Sequence, residues 1–202
     1  RARARIKFLV AKLGIEKFKR LVLEERNILP HDDRWTSYID KIPAYKETAK
    51  KKPSELSSKV NDIEFVEWYS TNVYIQRQNG YSTITITLPL GDLSSHQARL
   101  LSDISRKYVG DSMRFTVEQN IVMRWVSNED IPELYNDLKR IGLSLSGAGT
   151  IVDVTACPGT DTCKLGIASS RGLAGELRYQ LAQKSIEMDK AIKGLRIKVS
   201  GC

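Results

Sequence analysis

Residues 72–90 read NVYIQRQNGYSTITITLPL and alternate between two faces with a period of two. Hydroxyl-bearing side chains share one face: Tyr81, Thr83, Thr85 and Thr87. Aliphatic side chains share the other: Ile84, Ile86 and Leu88. Such alternation predicts a half-buried strand, and Asn79-Gly80 is the dipeptide typical of a tight turn whose two central residues need positive φ. The stretch therefore predicts a β-hairpin.

Two helices are expected beyond the hairpin, because apolar residues recur there at helical spacing. Asp92 or Ser94 can cap the first, since both side chains accept hydrogen bonds from the N–H groups that open a helix. Gly110 can end this helix. The second is expected to begin near Asp130 and to close at Gly142.

A second strand pair separates the two helices. Residues 113–126, MRFTVEQNIVMRWV, are expected to turn at 118–120, and residues 150–156, TIVDVTA, predict a last strand. The resulting order is strand, helix, strand, strand, helix, strand. This order is that of the ferredoxin-like α+β fold.

The segments on either side of this pattern are less regular. Residues 3–26 predict a helix that Gly14 can split, whereas 30–62 contain three prolines and clustered Lys and Ser and predict an extended linker or wrapping segment. After the last strand we expect a cysteine-containing loop, a helix over 169–185 and a strand in LRIKVSGC, 195–202.

The composition is that of an ordinary globular protein. The 202 residues are 41% hydrophobic and 28% charged, and no apolar run is long enough for a transmembrane helix. The opening RARARIKFLV has too short an apolar run for a signal peptide. The net charge of +8 attracts nucleic acid, acidic proteins and small anions alike. Because the chain has no initiator Met and ends on a cysteine, we expect an internal segment of a longer protein.

Three cysteines carry the most specific chemical signal: Cys157, Cys163 and the last residue, Cys202. An odd number in a chain of this length predicts free thiols in a reducing compartment, and therefore a cytoplasmic protein. The C-x5-C spacing is unlike that of structural zinc sites, redox dithiols and small ferredoxins. An iron–sulfur cluster accepts widely separated thiolates, and the Gly, Thr and Ser residues of 157–170 leave N–H groups free to bond sulfur. The spacing alone leaves a metal or cluster site and structural cysteines both open.

Two stretches together carry a family resemblance: TACPGTDTCKLGIASSRGLA, 155–174, and LRIKVSGC, 195–202. They resemble the nitrite/sulfite reductase family, whose members couple a sirohaem to a 4Fe-4S cluster. The family pattern is C-x5-C followed, about forty residues on, by C-x3-C, and here 38 residues separate Cys163 from Cys202. GYSTITITLPLGDLS, 80–94, and RFTVEQNIVMRWV, 114–126, resemble the ferredoxin-like half-domain that precedes the cluster domain.

The resemblance implies a division of the chain into four segments. We expect a helical tail of the preceding repeat over 1–29, a linker or wrapping segment over 30–70, a ferredoxin-like half-domain over 71–150, and the start of an α/β sirohaem/4Fe-4S domain over 151–202. The expected fold class is therefore α+β, a ferredoxin-like half-domain followed by the first part of a cluster domain.

The resemblance also implies the residues that hold the cofactors. Cys157, Cys163 and Cys202 would be cluster ligands, and the fourth family cysteine, which bridges the cluster to the sirohaem iron, would fall four residues after Cys202. The pocket that binds the substrate lies, in the family, upstream of residue 1. We therefore assign no catalytic residue here, and we expect this segment alone to be inactive and to hold no stable cluster.

Four further residues are candidates for binding sirohaem. Arg114, Thr116 and Gln119 lie in a region similar to the one that faces sirohaem in the family, and Arg171 flanks the cluster loop. An arginine there could pair with a haem carboxylate.

The activity implied is the six-electron reduction of sulfite to sulfide or of nitrite to ammonia. The partners would be the small anion and an electron donor such as ferredoxin or a flavoprotein, with no nucleic acid and no membrane.

Two alternatives remain from the sequence. A basic chain with this strand and helix order could be an RNA-binding module, although the K/R-G-F/Y-G/A-F signature is absent. The chain could also be a structural pseudo-repeat of the same family without cofactors, but the three cysteines at the family's intervals argue against this.

Overall fold

The computed structural model describes residues 5–56, 62–184 and 188–202. They form two compact units, the first ending at Lys46 and the second beginning at Glu47. Among the helices of these residues, none combines the length and apolar character needed to span a bilayer.

The described part of the first unit, from residue 5 on, contains three α-helices. α1 (Ile6–Leu13) and α2 (Ile15–Ile28) are separated at Gly14, whose φ of 78° is the left-handed conformation that glycine adopts readily. The predicted break at Gly14 is therefore confirmed. α3 (Arg34–Asp40) was not predicted, because its short sequence shows no helical period long enough to recognise.

The second unit is built around one antiparallel sheet. Its strands are β1 (Val73–Ile75), β2 (Tyr81–Ile86), β3 (Arg114–Phe115) and β4 (Ile121–Ser127), in the spatial order β1-β2-β4-β3. Three helices share its hydrophobic core: α4 (Ile63–Asn72), α5 (Ser95–Tyr108) and α6 (Ile131–Arg140). Trp68, Ile84 and Leu134 are fully buried in this core. The arrangement is the α+β class that the sequence predicts.

The hairpin of β1 and β2 is confirmed, but its turn differs from the one expected. Of the Asn79-Gly80 pair only Gly80 has positive φ, at 83°. The Gln76 N–H donates to the Tyr81 carbonyl at 3.0 Å, so the loop has more than two residues. A side chain at position 80 would meet Pro53 Cβ at 2.6 Å, so the close approach of that proline also requires glycine.

The segment from Glu47 to Leu56 wraps the second unit. The Tyr81 hydroxyl donates to the Lys51 carbonyl and the Ser127 hydroxyl to the Lys52 carbonyl, both at 2.8 Å. The Lys51 ammonium lies 2.7 Å from the Asp130 carboxylate. Part of the segment predicted as an extended linker or wrapping segment, 30–62, thus contacts the second unit, whereas α3 in the same segment is helical.

Capping chemistry sets the ends of α5 as expected. The Gln97 N–H donates to Ser94 Oγ at 3.1 Å, and the Ser94 N–H donates to Gln97 Oε1 at 3.2 Å. This reciprocal capping box identifies Ser94, and not Asp92, as the cap. Gly110, at φ 97°, follows the last turn and donates to the Ser105 carbonyl.

The last predicted strand lies in a different sheet. Of residues 150–156 only Thr155–Ala156 form a strand, β5, and it pairs in parallel with β6 (Lys198–Val199). In the main sheet, β2 pairs with β4 on one side and with β1 on the other, so both of its edges have a strand partner. The predicted strand order is therefore wrong at its last member. The buried Asp153 carboxylate accepts the Gly149 N–H at 2.9 Å and stabilises a turn where we expected extended chain.

Two helices lie between the strands of the small sheet, β5 and β6, in the sequence. α7 (Ser170–Lys184) confirms the helix predicted there, and α8 (Lys190–Lys193) precedes β6. Ala174 of α7 is buried with Val154 and Ala156 in a second hydrophobic cluster. The finer boundaries implied by the resemblance, including the one between 71–150 and 151–202, remain predictions.

Replacing Trp68 with alanine should destabilise the second unit. The side chain is fully buried, and its ring centroid lies 5.0 Å from that of Tyr135. We expect a loss of about 3–5 kcal/mol in the free energy of unfolding, measured by urea denaturation followed by far-UV circular dichroism. Trp35→Ala is the matched control, because Trp35 is 52% exposed. Equal losses in the two variants would contradict the assignment of the core.

Candidate metal centre

The parallel pair β5·β6 brings the first and last cysteines to one edge. Cys157 follows β5 directly, and Cys202 lies three residues after β6. Parallel strands run in the same direction, so their carboxyl ends meet at the same side of the sheet. The Cys157 N–H donates to the Val199 carbonyl at 3.1 Å, which extends the pairing to the cysteine itself.

The loop after Cys157 folds back onto Gly201. The N–H groups of Ile167 and Ala168 both donate to the Gly201 carbonyl, at 2.8 and 3.1 Å. The Cys163 N–H donates to the Gly159 carbonyl at 3.0 Å. The segments that carry all three cysteines are therefore joined by backbone hydrogen bonds.

Glycines make this close backbone contact possible. A Cβ on Gly201 would lie 2.8 Å from Gly159 Cα and 2.7 Å from the Ala168 carbonyl oxygen. A Cβ on Gly166 would lie 2.7 Å from the Gly159 carbonyl carbon. The neighbours in each case are backbone atoms, which cannot rotate away as a flexible side chain can.

The Cys157 thiol lies in surroundings that favour its thiolate. Its half-buried Sγ accepts the Gly201 N–H at 3.2 Å and lies 3.4 Å from Ser170 Oγ. The hydrogen bond with Ser170, and then the N–H groups of Gly201 and Gly159, lower the pKa of Cys157 in spite of its partial burial. A thiolate is the form that binds metals.

The other two thiols point outward. Cys163 and Cys202 are both exposed and free, and Leu165 and Ile167, beside Cys163, are 80% and 85% exposed. Within 5–56, 62–184 and 188–202, no three His, Cys, Asp or Glu side chains are grouped to hold a single metal ion. The donors that are present nevertheless fit an iron–sulfur cluster, since it takes thiolates at separate corners and hydrogen bonds from backbone N–H to sulfur.

Two of the four residues predicted to bind sirohaem, Arg114 and Thr116, contact other residues of this chain. Arg114 is half-exposed, and its Nε donates to Glu47 Oε1 at 2.7 Å. Thr116 Oγ1 accepts the N–H groups of Glu118 and Asn120, both at 3.2 Å, and so stabilises the β3–β4 turn.

The other two join the sheet to the cysteine loop. The Gln119 side chain binds the backbone of Ala156, the residue before Cys157. Arg171 donates to the Leu90 carbonyl at 3.0 Å and lies 2.6 Å from the Asp92 carboxylate and 3.1 Å from that of Asp161. Asp161 lies in the turn between the two loop cysteines, so Arg171 fixes that turn to the chain after β2.

Residues 74–141 match the model of the nitrite/sulfite reductase ferredoxin-like half domain. Along its whole length the chain is 28% identical to sulfite reductase (ferredoxin) 2 of Mycolicibacterium paratuberculosis, of which it covers 32%. Residues 74–141 thus carry the ferredoxin-like half domain of the nitrite/sulfite reductase family. The chain also aligns over 70% of its length, at 28% identity, with 26% of the assimilatory ferredoxin-dependent nitrite reductase of Haloferax mediterranei.

A solved structure supports the fold of the chain. The NirA protein of Mycobacterium tuberculosis superimposes on the whole chain with a TM-score of 0.65 at 22% sequence identity, and the chain covers 33% of it. The predicted ferredoxin-like α+β class is confirmed. The chain spans between a quarter and a third of the length of the curated relatives named above.

Sequence reasoning missed several residues on and around β5 and the cysteine loop. Ser170 and Gly201, which contact the Cys157 thiol, were not singled out, although the loop was recognised as rich in small residues. Arg178 was also missed: it is largely buried, its guanidinium lies 3.7 Å from Asp153, and burial lowers its pKa. No local pattern marks residues whose partners are distant in sequence.

Adding a methyl group at position 201 should displace the cysteine loop. Gly201→Ala places Cβ against fixed backbone atoms, so we expect a loss of about 1–3 kcal/mol in the free energy of unfolding by urea denaturation. Gly175→Ala is the control, because its Cβ would meet only Leu90 Cδ1 at 3.8 Å inside α7, where alanine favours the helix. Similar behaviour of the two variants would refute the close glycine contact.

The Ser170 hydroxyl should control the acidity of Cys157. In a Cys163→Ser, Cys202→Ser background, Cys157 is the only cysteine, and we expect the pH midpoint of its alkylation by iodoacetamide to lie below that of an ordinary thiol. Ser170→Ala removes a hydroxyl that lies 3.4 Å from Cys157 Sγ, donates to the Cys157 carbonyl at 2.7 Å and lowers the pKa of the thiol, so the midpoint should move to higher pH.

Thr162→Ala is the control for this titration. Thr162 lies in the same loop, but its hydroxyl is not among the groups that lower the pKa of Cys157. An unchanged midpoint in Ser170→Ala, or an equal shift in both variants, would show that the Ser170 contact does not stabilise the thiolate.

Proposed function

We propose that this chain forms the cluster-binding part of a reductase that uses sirohaem and a 4Fe-4S cluster to reduce sulfite to sulfide or nitrite to ammonia. The observation that carries the proposal is the Cys157 thiol, which accepts the Gly201 N–H at the edge where Cys202 also emerges. The family match and the printed functions of the relatives support it.

Cys157, Cys163 and Cys202 are the proposed cluster ligands. The Gly201 N–H would remain bonded to the Cys157 sulfur, and such hydrogen bonds set the reduction potential of a cluster. Leu165 and Ile167 would provide the apolar surroundings that limit access of water to the thiolates. When bound, the cluster and sirohaem supply the electron transfer that the protein side chains cannot perform.

The four residues that we propose for binding sirohaem differ in how far their side chains are already bound to other groups of this chain. The half-exposed Arg114 has further N–H groups beyond the one that binds Glu47, so it can also donate to a haem carboxylate. Arg171 is already bound to a carbonyl and lies close to two carboxylates, so a contact with sirohaem would compete with those partners. Thr116 and Gln119 likewise act first on this chain's own backbone.

The partners follow from the relatives and from charge. Both named relatives are described by their names as ferredoxin-dependent, which makes ferredoxin our proposed electron donor. The net charge of +8 favours an acidic protein donor and an anionic substrate. Free thiols at the ligand positions suit a reducing compartment, and we therefore place the protein in the cytoplasm. The relatives favour this function over RNA binding or a cofactor-free repeat.

Anaerobic iron and acid-labile sulfide analysis, with an absorption spectrum, tests the proposal on the protein that carries these 202 residues. We expect about four iron and four sulfide in the cluster, together with sirohaem bands. Cys157→Ser, Cys163→Ser and Cys202→Ser should each lower the iron and sulfide content, whereas Thr162→Ala should not. A colourless, iron-free parent protein would refute the proposal. Sulfite and nitrite consumption with a chemically reduced donor would then identify the substrate.

A further inference from the structure

Among the strands of the described residues, β5 pairs with β6 alone and along one edge. The N–H groups of Thr155 and Cys157 donate to the carbonyls of Ile197 and Val199, both at 3.1 Å. Successive residues of a strand direct their backbone groups to opposite edges. The N–H and carbonyl of Ala156 therefore face away from β6.

The side chain of Gln119 fills the place of a strand at this second edge. Its Nε2 donates to the Ala156 carbonyl at 2.8 Å, and its Oε1 accepts the Ala156 N–H at 3.3 Å. A primary amide offers the same donor and acceptor as a peptide group, so one side chain can satisfy both groups of one strand residue. Ala156 is buried, and an unpaired peptide group there would be costly.

The backbone at Gln119 is held in a conformation that aims this amide at β5. Its φ is 65°, which non-glycine residues adopt infrequently. Thr116 stabilises the turn, and Gly91 passes so close that a Cβ there would lie 3.1 Å from Gln119 Cβ. The neighbouring Asn120 is buried, and its side chain accepts the Leu88 N–H at 2.9 Å.

We infer that Gln119 is a positioning residue for Cys157. It acts through the peptide of Ala156: by holding the free edge of β5, it fixes the point from which the Cys157 side chain extends toward Gly201. The inference rests on the proposed function in one respect, since it assigns the held thiolate to a cluster. It differs from the expectation that Gln119 binds sirohaem directly.

Two substitutions separate the hydrogen bonds from the volume of the side chain. Gln119→Glu keeps an acceptor for the Ala156 N–H but places a carboxylate oxygen against the Ala156 carbonyl. Gln119→Met removes both hydrogen bonds at similar volume. Gln180→Met is the matched control, because the Gln180 amide is exposed and donates to Glu176 on its own helix, away from β5.

The first readout is hydrogen exchange at the Ala156 amide, which does not depend on activity. Loss of its hydrogen bond in Gln119→Met should speed exchange by about tenfold, while Gln180→Met should leave it unchanged. Gln119→Glu, which keeps the acceptor, should show a smaller change. Unchanged exchange in Gln119→Met would overturn the inference whether or not a cluster is bound.

The second readout is the cluster itself, in the full protein. We expect lower iron and sulfide content and a shifted electron paramagnetic resonance spectrum of the reduced cluster in Gln119→Met, with the parent spectrum retained in Gln180→Met. Faster exchange with an unaltered spectrum and iron content would show that Gln119 only stabilises the fold, and would overturn the positioning role. A change confined to the sirohaem bands would overturn it in favour of direct sirohaem contact.

The measurements distinguish a failure of this inference from a failure of the proposed function. If the parent protein contains no iron, the proposed function fails, and no cluster remains for Gln119 to position. If the parent holds a cluster and the Gln119 variants match it in spectrum and exchange, only the positioning role fails.

Discussion

The parallel pairing of β5 with β6 is the interaction on which the candidate site depends. At the end of this strand pair the Gly201 N–H donates to the Cys157 sulfur, a contact between residues 44 positions apart in the sequence. Each strand has only two residues, and so short a pair has too few hydrogen bonds to be stable by itself. The geometry around the thiol must therefore be maintained by contacts outside the pair.

Those contacts come from both sides of the small sheet. Ala174 of α7 packs into the second hydrophobic cluster with Val154, while Gln119 reaches the opposite edge of β5 from the main sheet. Arg171 joins the cysteine loop to the chain after β2 through the Leu90 carbonyl. The site is thus shared between the ferredoxin-like sheet and the loop, and neither part of the sequence defines it alone.

The difference between local contacts and contacts that are distant in the sequence explains which features the sequence could predict. Turn and capping signals act within a few residues, so the sequence predicted the hairpin at Asn79-Gly80, a cap of α5 at Asp92 or Ser94, and its end at Gly110. The C-x5-C loop was recognisable for the same reason. The departure of residues 150–156 from the main sheet was not predictable, because the turn at Asp153 depends partly on Asn120, whose amide donates to its buried carboxylate at 2.8 Å from a distant turn.

The two arginines predicted to bind sirohaem show the same limit of prediction from sequence. Arg114 and Arg171 were chosen because guanidinium groups pair with carboxylates, and both do, but with carboxylates of this chain. A sequence shows which side chains can donate, whereas the fold decides which acceptor they meet. Here the paired charges and backbone hydrogen bonds lie within the scaffold, while Cys163 and Cys202 remain exposed, Cys163 beside Leu165 and Ile167. The two arginines therefore serve first to hold the scaffold together, and the exposed thiols of Cys163 and Cys202 are the donor groups that this scaffold presents outward.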